Sequence, residues 1–262
     1  THSSVKQRKG IEYPNHFTLV QQMDLVGPRY LTGGSRFYFQ NIIDTENHHV
    51  GVYPIRDKSS SAIAQSLVHF WTIYGMPDFL QMDNELSFRG SNRHPRSLGI
   101  VLRLALSQGV TPIFIPTSEP WRNGVIEKFN SNLSKYFFSV QRFTSFEDLE
   151  EKTPGFSDFH NQNHRYSTQG GKTPDQIWSI SQEHKLGPVN LKNPIPLADG
   201  SVLFIRFIRS DRSLTILRTN FTVKKELVYT YVVAELVVRQ HVLLVKQDGI
   251  IHHVFPFAMP VD

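Results

Sequence analysis

Three carboxylates stand out by where they fall along the chain. Asp24 sits inside the apolar run "LVQQMDLVG", a strand-like setting that aspartate disfavours. Asp83 closes the short run "DFLQMD", and Glu127 lies early in "PWRNGVIEKFNSNLSKYF", an amphipathic stretch behind Pro120. Singly, two of them have ordinary readings: Asp83-Asn84 is a turn signal, and a glutamate near a helix start is favoured by the helix dipole. Brought together, three carboxylates repel one another by on the order of several kcal/mol and are stable only around a cation. Oxygen donors select Mg²⁺ or Mn²⁺, and two such ions about 4 Å apart can serve phosphoryl transfer. Asp44, after "FQNII", is the rival ligand and is better read as a turn former. His160 and His164 share a helix face at i, i+4 but have no acidic or cysteine partner, so a surface position is expected for them. The turn-side pairs His48-His49 and His252-His253 are read the same way.

The elements that would position these acids can be read from apolar periodicity. "HFTLVQQMDLVG", "RFYFQNIID" and "HHVGVYPI", split by Gly27-Pro28 and Gly33-Gly34, predict an antiparallel three-strand meander. "DKSSSAIAQSLVHFWTIYG" has serines at the N-cap, apolar residues at helical spacing and a stop at Gly75. "MPDFLQMDN" predicts a strand, "SLGIVLRLALSQG" a helix, "VTPIFIP" a strand, and Glu127 opens the next helix. The order β-β-β-α-β-α-β-α implies an α/β mixed sheet with helices on its faces. If the first and fourth strands are neighbours, Asp24 and Asp83 sit side by side and a helix crossing that sheet end delivers Glu127. A further helix, "FEDLEEKTPGFSDFHNQN", is expected to break at Pro154-Gly155. From Ser179 the chain turns polar and proline-bearing, like a linker. Ser201 to Phe257 then predicts five short strands in a small barrel.

Composition narrows the partners. The chain has 262 residues, no cysteine and a net charge of +5, so disulfides and thiolate zinc sites are excluded for this portion and a polyanion is favoured. More than half of the net charge falls in the last sixty residues, which suits a DNA clamp or a plain packing module. No run approaches the roughly 18 apolar residues of a membrane span, and "THSSVKQRKG" is not a secretory leader. A cytoplasmic, reducing setting is expected. Lys6, Arg8 and Lys9 read as a basic linker in a chain cut from something longer.

Four phrases in order then resemble the family of retroviral-type integrases and bacterial insertion-sequence transposases: "QQMDLVGP", "YGMPDFLQMDNELSF", "RNGVIEKFNSNL" and "HNQNHRYSTQGGKTPDQIW". The resemblance implies a ribonuclease-H-like core with a mixed five-stranded sheet over residues 15–178, preceded by a basic linker at 1–14. A linker at 179–199, an SH3-like barrel at 200–257 and a tail at 258–262 follow. It implies that Asp24, Asp83 and Glu127 hold Mg²⁺ or Mn²⁺, two ions in all, for cleavage of a DNA strand and attack of the freed 3′-hydroxyl on a target phosphodiester. Double-stranded DNA, as element ends and target, is the implied partner of a homo-oligomer in a bacterial cytoplasm. Arg122, Asn123, Lys128, Lys135, Arg206, Arg209 and Lys224 are the expected DNA contacts. For Lys128 and Lys135 a solvated helix face stays open as the alternative, and Trp121 either touches DNA or covers the core. A nuclease on the same core, or a DNA-binding remnant without chemistry, are the competing functions. Two departures stand out: the 44 positions between Asp83 and Glu127 exceed the retroviral spacing, with the excess assigned to "RGSNRHPRSLG", and Glu85 replaces a common glycine.

Overall fold

A computed structural model describes residues 11–90, 96–178 and 184–260. The expected linker residues Lys6, Arg8 and Lys9, the middle of "RGSNRHPRSLG" and residues 179–183 lie outside them. β1 (Val20–Tyr30), β2 (Arg36–Asp44) and β3 (Val50–Ile55) form the predicted antiparallel meander. α1 (Ser60–Tyr74) starts where the Ser59 hydroxyl accepts the Ala62 N–H and stops at Gly75, as its cap residues dictate. β4 (Phe79–Met82), the short α2 (Leu86–Arg89), α3 (Ile100–Ser107), β5 (Thr111–Phe114) and α4 (Gly124–Leu133) follow. β4 pairs parallel with both β1 and β5, which gives the core order β3-β2-β1-β4-β5. This is the mixed five-stranded sheet of a ribonuclease-H-like fold. Alternation along the strands sends Met23, Leu80 and Met82 into a cluster with α1 and α3, while Phe37, Phe39, Ile43 and Val52 pack on the opposite face with Ile126, Phe129 and Leu133 of α4.

Two expectations about elements are revised. α5 (Phe146–Asn163) runs unbroken through Pro154. The proline removes one internal hydrogen bond, but the helix is fixed elsewhere: Asn161 both accepts the Val50 N–H at 2.9 Å and donates to its carbonyl at 3.1 Å, capping the edge strand β3. After α6 (Pro174–Ile177), the C-terminal part contains six strands, not five: β6 (Ser201–Phe207), β7 (Ser213–Ile216), β8 (Thr219–Thr222), β9 (Tyr231–Val237), β10 (Val242–Gln247) and β11 (Ile250–Pro256). β6 pairs parallel with β5, so β6-β9-β10-β11 extend the core sheet to nine strands in linear order, and β7-β8 is a separate hairpin. Hydrophobic residues of this part share one cluster with α1 and α3, and Leu186, Val189, Leu191, Ile195 and Leu197 of the expected linker lie against it. The proline-bearing stretch therefore acts as a strap. The tail begins buried too, at Met259.

The loop that lengthens the interval between the acids is pinched at its base. A Cβ on Gly90, whose φ is +111°, would lie 2.7 Å from the Gly99 nitrogen, and one on Gly99 would lie 2.8 Å from the Gly90 Cα. Only glycine permits this approach. Gly90→Ala is expected to cost about 2–3 kcal/mol through strain and displaced backbone, lowering the melting temperature by roughly 5–10 °C in a circular dichroism melt. An unchanged melt would refute the pinch.

Candidate active site

The strand register decides where the first two acids go. Gln22 pairs with Gln81 across parallel β1 and β4, and two residues further along each strand stand Asp24 and Asp83. Adjacent strands are about 4.8 Å apart. Since Met23 and Met82 enter the α1/α3 cluster, Gln22, Asp24, Gln81 and Asp83 all point to the α4 side. The start of α4 is held on that same side by buried amides. Gln22 Oε1 accepts the Ile126 N–H at 3.0 Å. Gln81 Nε2 donates to the Arg122 carbonyl at 3.0 Å and to Asn123 Oδ1 at 3.1 Å, and Asn123 Nδ2 donates to the Met23 carbonyl at 3.2 Å. Glu127 follows at the next turn, in the first turn of α4 and solvent-exposed.

Charge from neighbouring carboxylates reaches all three acids. Burial, then Asp83 and Glu127, push the Asp24 carboxyl up to about 7, against hydrogen bonds from the Leu25 N–H and Asn130. Burial and Glu85 raise Asp83, with the Glu85 N–H and Lys58 opposing. Burial and Asp83 raise Glu127. Asn130 holds Asp24 directly: its Nδ2 donates to Asp24 Oδ2 at 2.6 Å, and its Oδ1 accepts from Asn41 Nδ2 at 2.8 Å. Asp83 Oδ1 accepts the Glu85 N–H at 2.9 Å, and Glu85 itself pairs with Lys58 at 3.1 Å. Among the described residues, no three His, Cys, Asp or Glu side chains are gathered tightly enough to hold a metal ion. The donor set nonetheless fits a hard divalent cation by its chemistry. It is all oxygen, partly desolvated, and carries mutual repulsion that a cation would relieve.

The other expected contacts divide. Lys128, Lys135, Arg209 and Lys224 are exposed. Asn123 is 2% exposed and belongs to the amide clasp, so it does not face outward. Arg122, also expected as a DNA contact, is engaged within the fold. It donates to Glu119 at 3.3 Å and Tyr231 Oη at 3.1 Å, and its guanidinium lies 3.7 Å above the Tyr13 ring. That cluster ties the end of β5, the start of β9 and the N-terminal segment together. Arg206, expected as a DNA contact, turns inward: it donates to the Ile115 carbonyl at 3.0 Å and to Asn84 Oδ1 at 2.7 Å. The β5-β6 pairing makes that contact, and no signal in the strand pattern announces it.

Asp44 is the turn former expected, accepting the Glu46 and Asn47 N–H groups at 2.9 and 3.0 Å. The histidines are revised. His48, His49 and His160 are buried; His49 Nε2 lies 2.7 Å from Asp175 Oδ1, and His160 stacks on His164 and bonds Tyr166 Oη. Burial and the neighbouring histidines push His160 down to about 3, so it is neutral. Asn130, Gln22 and Gln81 are the site residues that the sequence reading passed over. Both aspartates close the same tripeptide, Gln-Met-Asp, at 22–24 and 81–83, and Asn130 lies one turn after Glu127.

Residues 108–174, which include Glu127 and α4, match the model of an integrase core domain. The catalytic core of HTLV-2 integrase, solved in complex with magnesium in a trimeric form, aligns at 18% identity with a TM-score of 0.45 over 61% of this chain and 95% of its own. The BIV integrase core aligns at 17% and 0.44 over 61% and 93%. A chain of the simian T-cell lymphotropic virus intasome, solved with PP2A regulatory subunit B56 gamma, aligns at 15% and 0.48 over 92% and 76%. No curated protein sequence matches the chain.

Proposed function

We propose that this chain, whose residues 108–174 carry the integrase core signature, is a DNA strand-transfer enzyme of the integrase and transposase type that works with Mg²⁺ or Mn²⁺. The observation that carries the reading is the closeness of three carboxylates from three elements at one end of the sheet: Asp83 and Glu127 raise the proton affinity of Asp24, and Asp83 raises that of Glu127. These three residues would hold a pair of ions. When bound, such ions supply activation of an attacking oxygen and stabilisation of a leaving one.

The chain's own residues do the rest. The Asn130 amide and the Leu25 N–H fix the Asp24 carboxylate, the Glu85 N–H fixes Asp83, and the Gln22-Gln81-Asn123 clasp sets the height of α4 and so of Glu127. The phosphodiester would be attacked in line, first by water and then by the freed 3′-hydroxyl, with no covalent link to the protein. Lys128, Lys135, Arg209 and Lys224 are exposed and would contact the DNA backbone. A homo-oligomer on two DNA ends and a target is part of the reading. No helix among the described residues is long and apolar enough to cross a membrane.

A pre-cleaved donor duplex incubated with supercoiled plasmid and Mn²⁺ separates the alternatives. Covalent donor-plasmid joints are expected, and a donor ending in a dideoxynucleotide should yield none. Nicks without joints would instead assign a nuclease, and an absence of both products would assign a binding remnant.

A further inference from the structure

At the C-terminal end of α4, away from the carboxylates, the fold gathers arginines and aromatic rings that the acidic site does not use. The end of β1, the wide helical turn Ser134–Phe138 that continues α4 and the loop after it enclose a surface hollow of about 370 Å³. Its aromatic lining includes buried Phe37 and half-buried Phe138, with ring centroids 6.4 Å apart. Arg29, Tyr30 and Arg142 line it as well; Tyr30 is 66% exposed and Arg142 is exposed. Arg29 donates to the Ser134 hydroxyl at 3.1 Å, and its guanidinium lies 4.7 Å from the centre of the Phe138 ring. The Thr32 N–H donates to the Phe143 carbonyl at 3.3 Å and so fastens the β1-β2 turn to the loop that carries Arg142. No Asp or Glu lines the hollow. The acids nearest to Arg142 in sequence, Glu147 and Asp148, are engaged by Arg56 and Lys152, each at 2.6 Å, and among the described residues neither Arg29 nor Arg142 pairs with a carboxylate.

Guanidinium groups with unused donors match the oxygens of a phosphodiester, and an aromatic face accepts the flat face of a nucleobase. The two kinds of group meet here in a space at the small end of ligand pockets, enough for one nucleotide and too little for a duplex. Its place along the helix fits a strand that starts at the carboxylates. Ser134 follows Glu127 by seven residues, about 10 Å along the helix axis, and Arg29 faces α4 from β1 as Asp24 does. At roughly 3.4 Å per nucleotide, a strand covers that distance in about three. We propose that this hollow holds one unpaired nucleotide of a DNA strand whose backbone follows α4, with the base against Tyr30 and Phe138 and the phosphate on Arg29 and Arg142. The inference rests on the reading of the chain as a DNA strand-transfer enzyme and adds that its substrate is single-stranded at this point.

The test uses the full chain and anisotropy titrations of fluorescent duplexes of about 30 base pairs, blunt or carrying a single-stranded tail of about five nucleotides, at about 50 to 200 mM salt. The wild type should bind the tailed duplex about five-fold or more tightly than the blunt one, and a tail of abasic sites should lose most of that gain. Tyr30→Ala, at an exposed position, should reduce the preference for the tail to less than about two-fold and should no longer distinguish bases from abasic sites. Arg142→Gln, likewise exposed, should lower the slope of log affinity against log salt on the tailed duplex by roughly 0.7. Phe159→Ala, which removes a ring of 65% exposure on α5, should leave the preference unchanged. A wild type without a tail preference, an abasic tail that binds as well as a normal one, or an equal loss in Phe159→Ala would each overturn the nucleotide site. Failure of the strand-transfer reading is a separate result: a wild type that shows the Tyr30-dependent preference yet yields neither joints nor nicks.

Discussion

Asp83→Asn should abolish strand cleavage and strand joining together, by about a thousand-fold or more, while DNA affinity stays within about two-fold of the wild type. The substitution keeps shape and keeps the acceptor for the Glu85 N–H, because the amide oxygen can take the place of Oδ1. It removes one negative charge from the pair set side by side by the β1-β4 register. Duplex binding depends on Lys and Arg side chains, which this change leaves alone. Product gels with Mn²⁺ and an anisotropy titration of the same preparation decide the matter. Residual cleavage above one tenth of wild type would remove Asp83 from the site. The same preparation offers a readout independent of turnover: Mn²⁺ should raise the melting temperature of the wild type and not of the variant.

The fold was legible because its local signals agree. Ser59 and Gly75 bound α1, Gly33-Gly34 falls in the turn between β1 and β2, and apolar alternation puts Met23 and Met82 inside. Gly27-Pro28, by contrast, does not end β1 but only shifts its register with β2. Asp24 stood out as a candidate because nothing in strand physics favours an aspartate there. What the chain did not disclose depends on contacts between distant segments. Arg206 reads as a strand cation until the β5-β6 pairing turns it against Asn84. Asn123 reads as a loop residue until Gln81 and Met23 bury it. His160 reads as helix surface because an i, i+4 histidine pair looks the same in sequence whether solvent or the Phe129 ring covers it. Pro154 predicts a break that the packing of α5 on β3 overrides. In the stretch expected as a linker, the Leu, Ile and Val residues rather than the prolines indicate its place against the core.

In metal-free buffer the native protein should lose stability as pH rises through the interval from about 4 to about 7, and Asp24→Asn should remove that loss. The sign follows from proton counts. Unfolded, the Asp24 carboxyl titrates near its ordinary 3.8; folded, it titrates at about 7. Between those values the native state binds more protons than the unfolded state, so stability falls with rising pH, and above 7 the penalty is complete. Three pH units at about 1.36 kcal/mol each set a ceiling of about 4 kcal/mol, and a partly buried group is expected to show on the order of 2–3. Asp83 and Glu127 shift in the same direction, whereas buried His48, His49 and His160 shift downward and make stability rise with pH. The wild-type curve alone therefore mixes opposing slopes. The difference between wild type and Asp24→Asn, measured by urea unfolding in EDTA at pH 5 and pH 8.5, isolates the one carboxyl. Of that window only the part above pH 5 is sampled, so the variant should gain on the wild type by roughly 1–2 kcal/mol between the two pH values. Saturating Mg²⁺ should shrink the gap, since a cation favours the ionised aspartate that the apo site resists. A difference that stays flat with pH would show that Asp24 titrates normally and is not crowded by the other two acids, and one that grows with Mg²⁺ would show that the cation binds elsewhere.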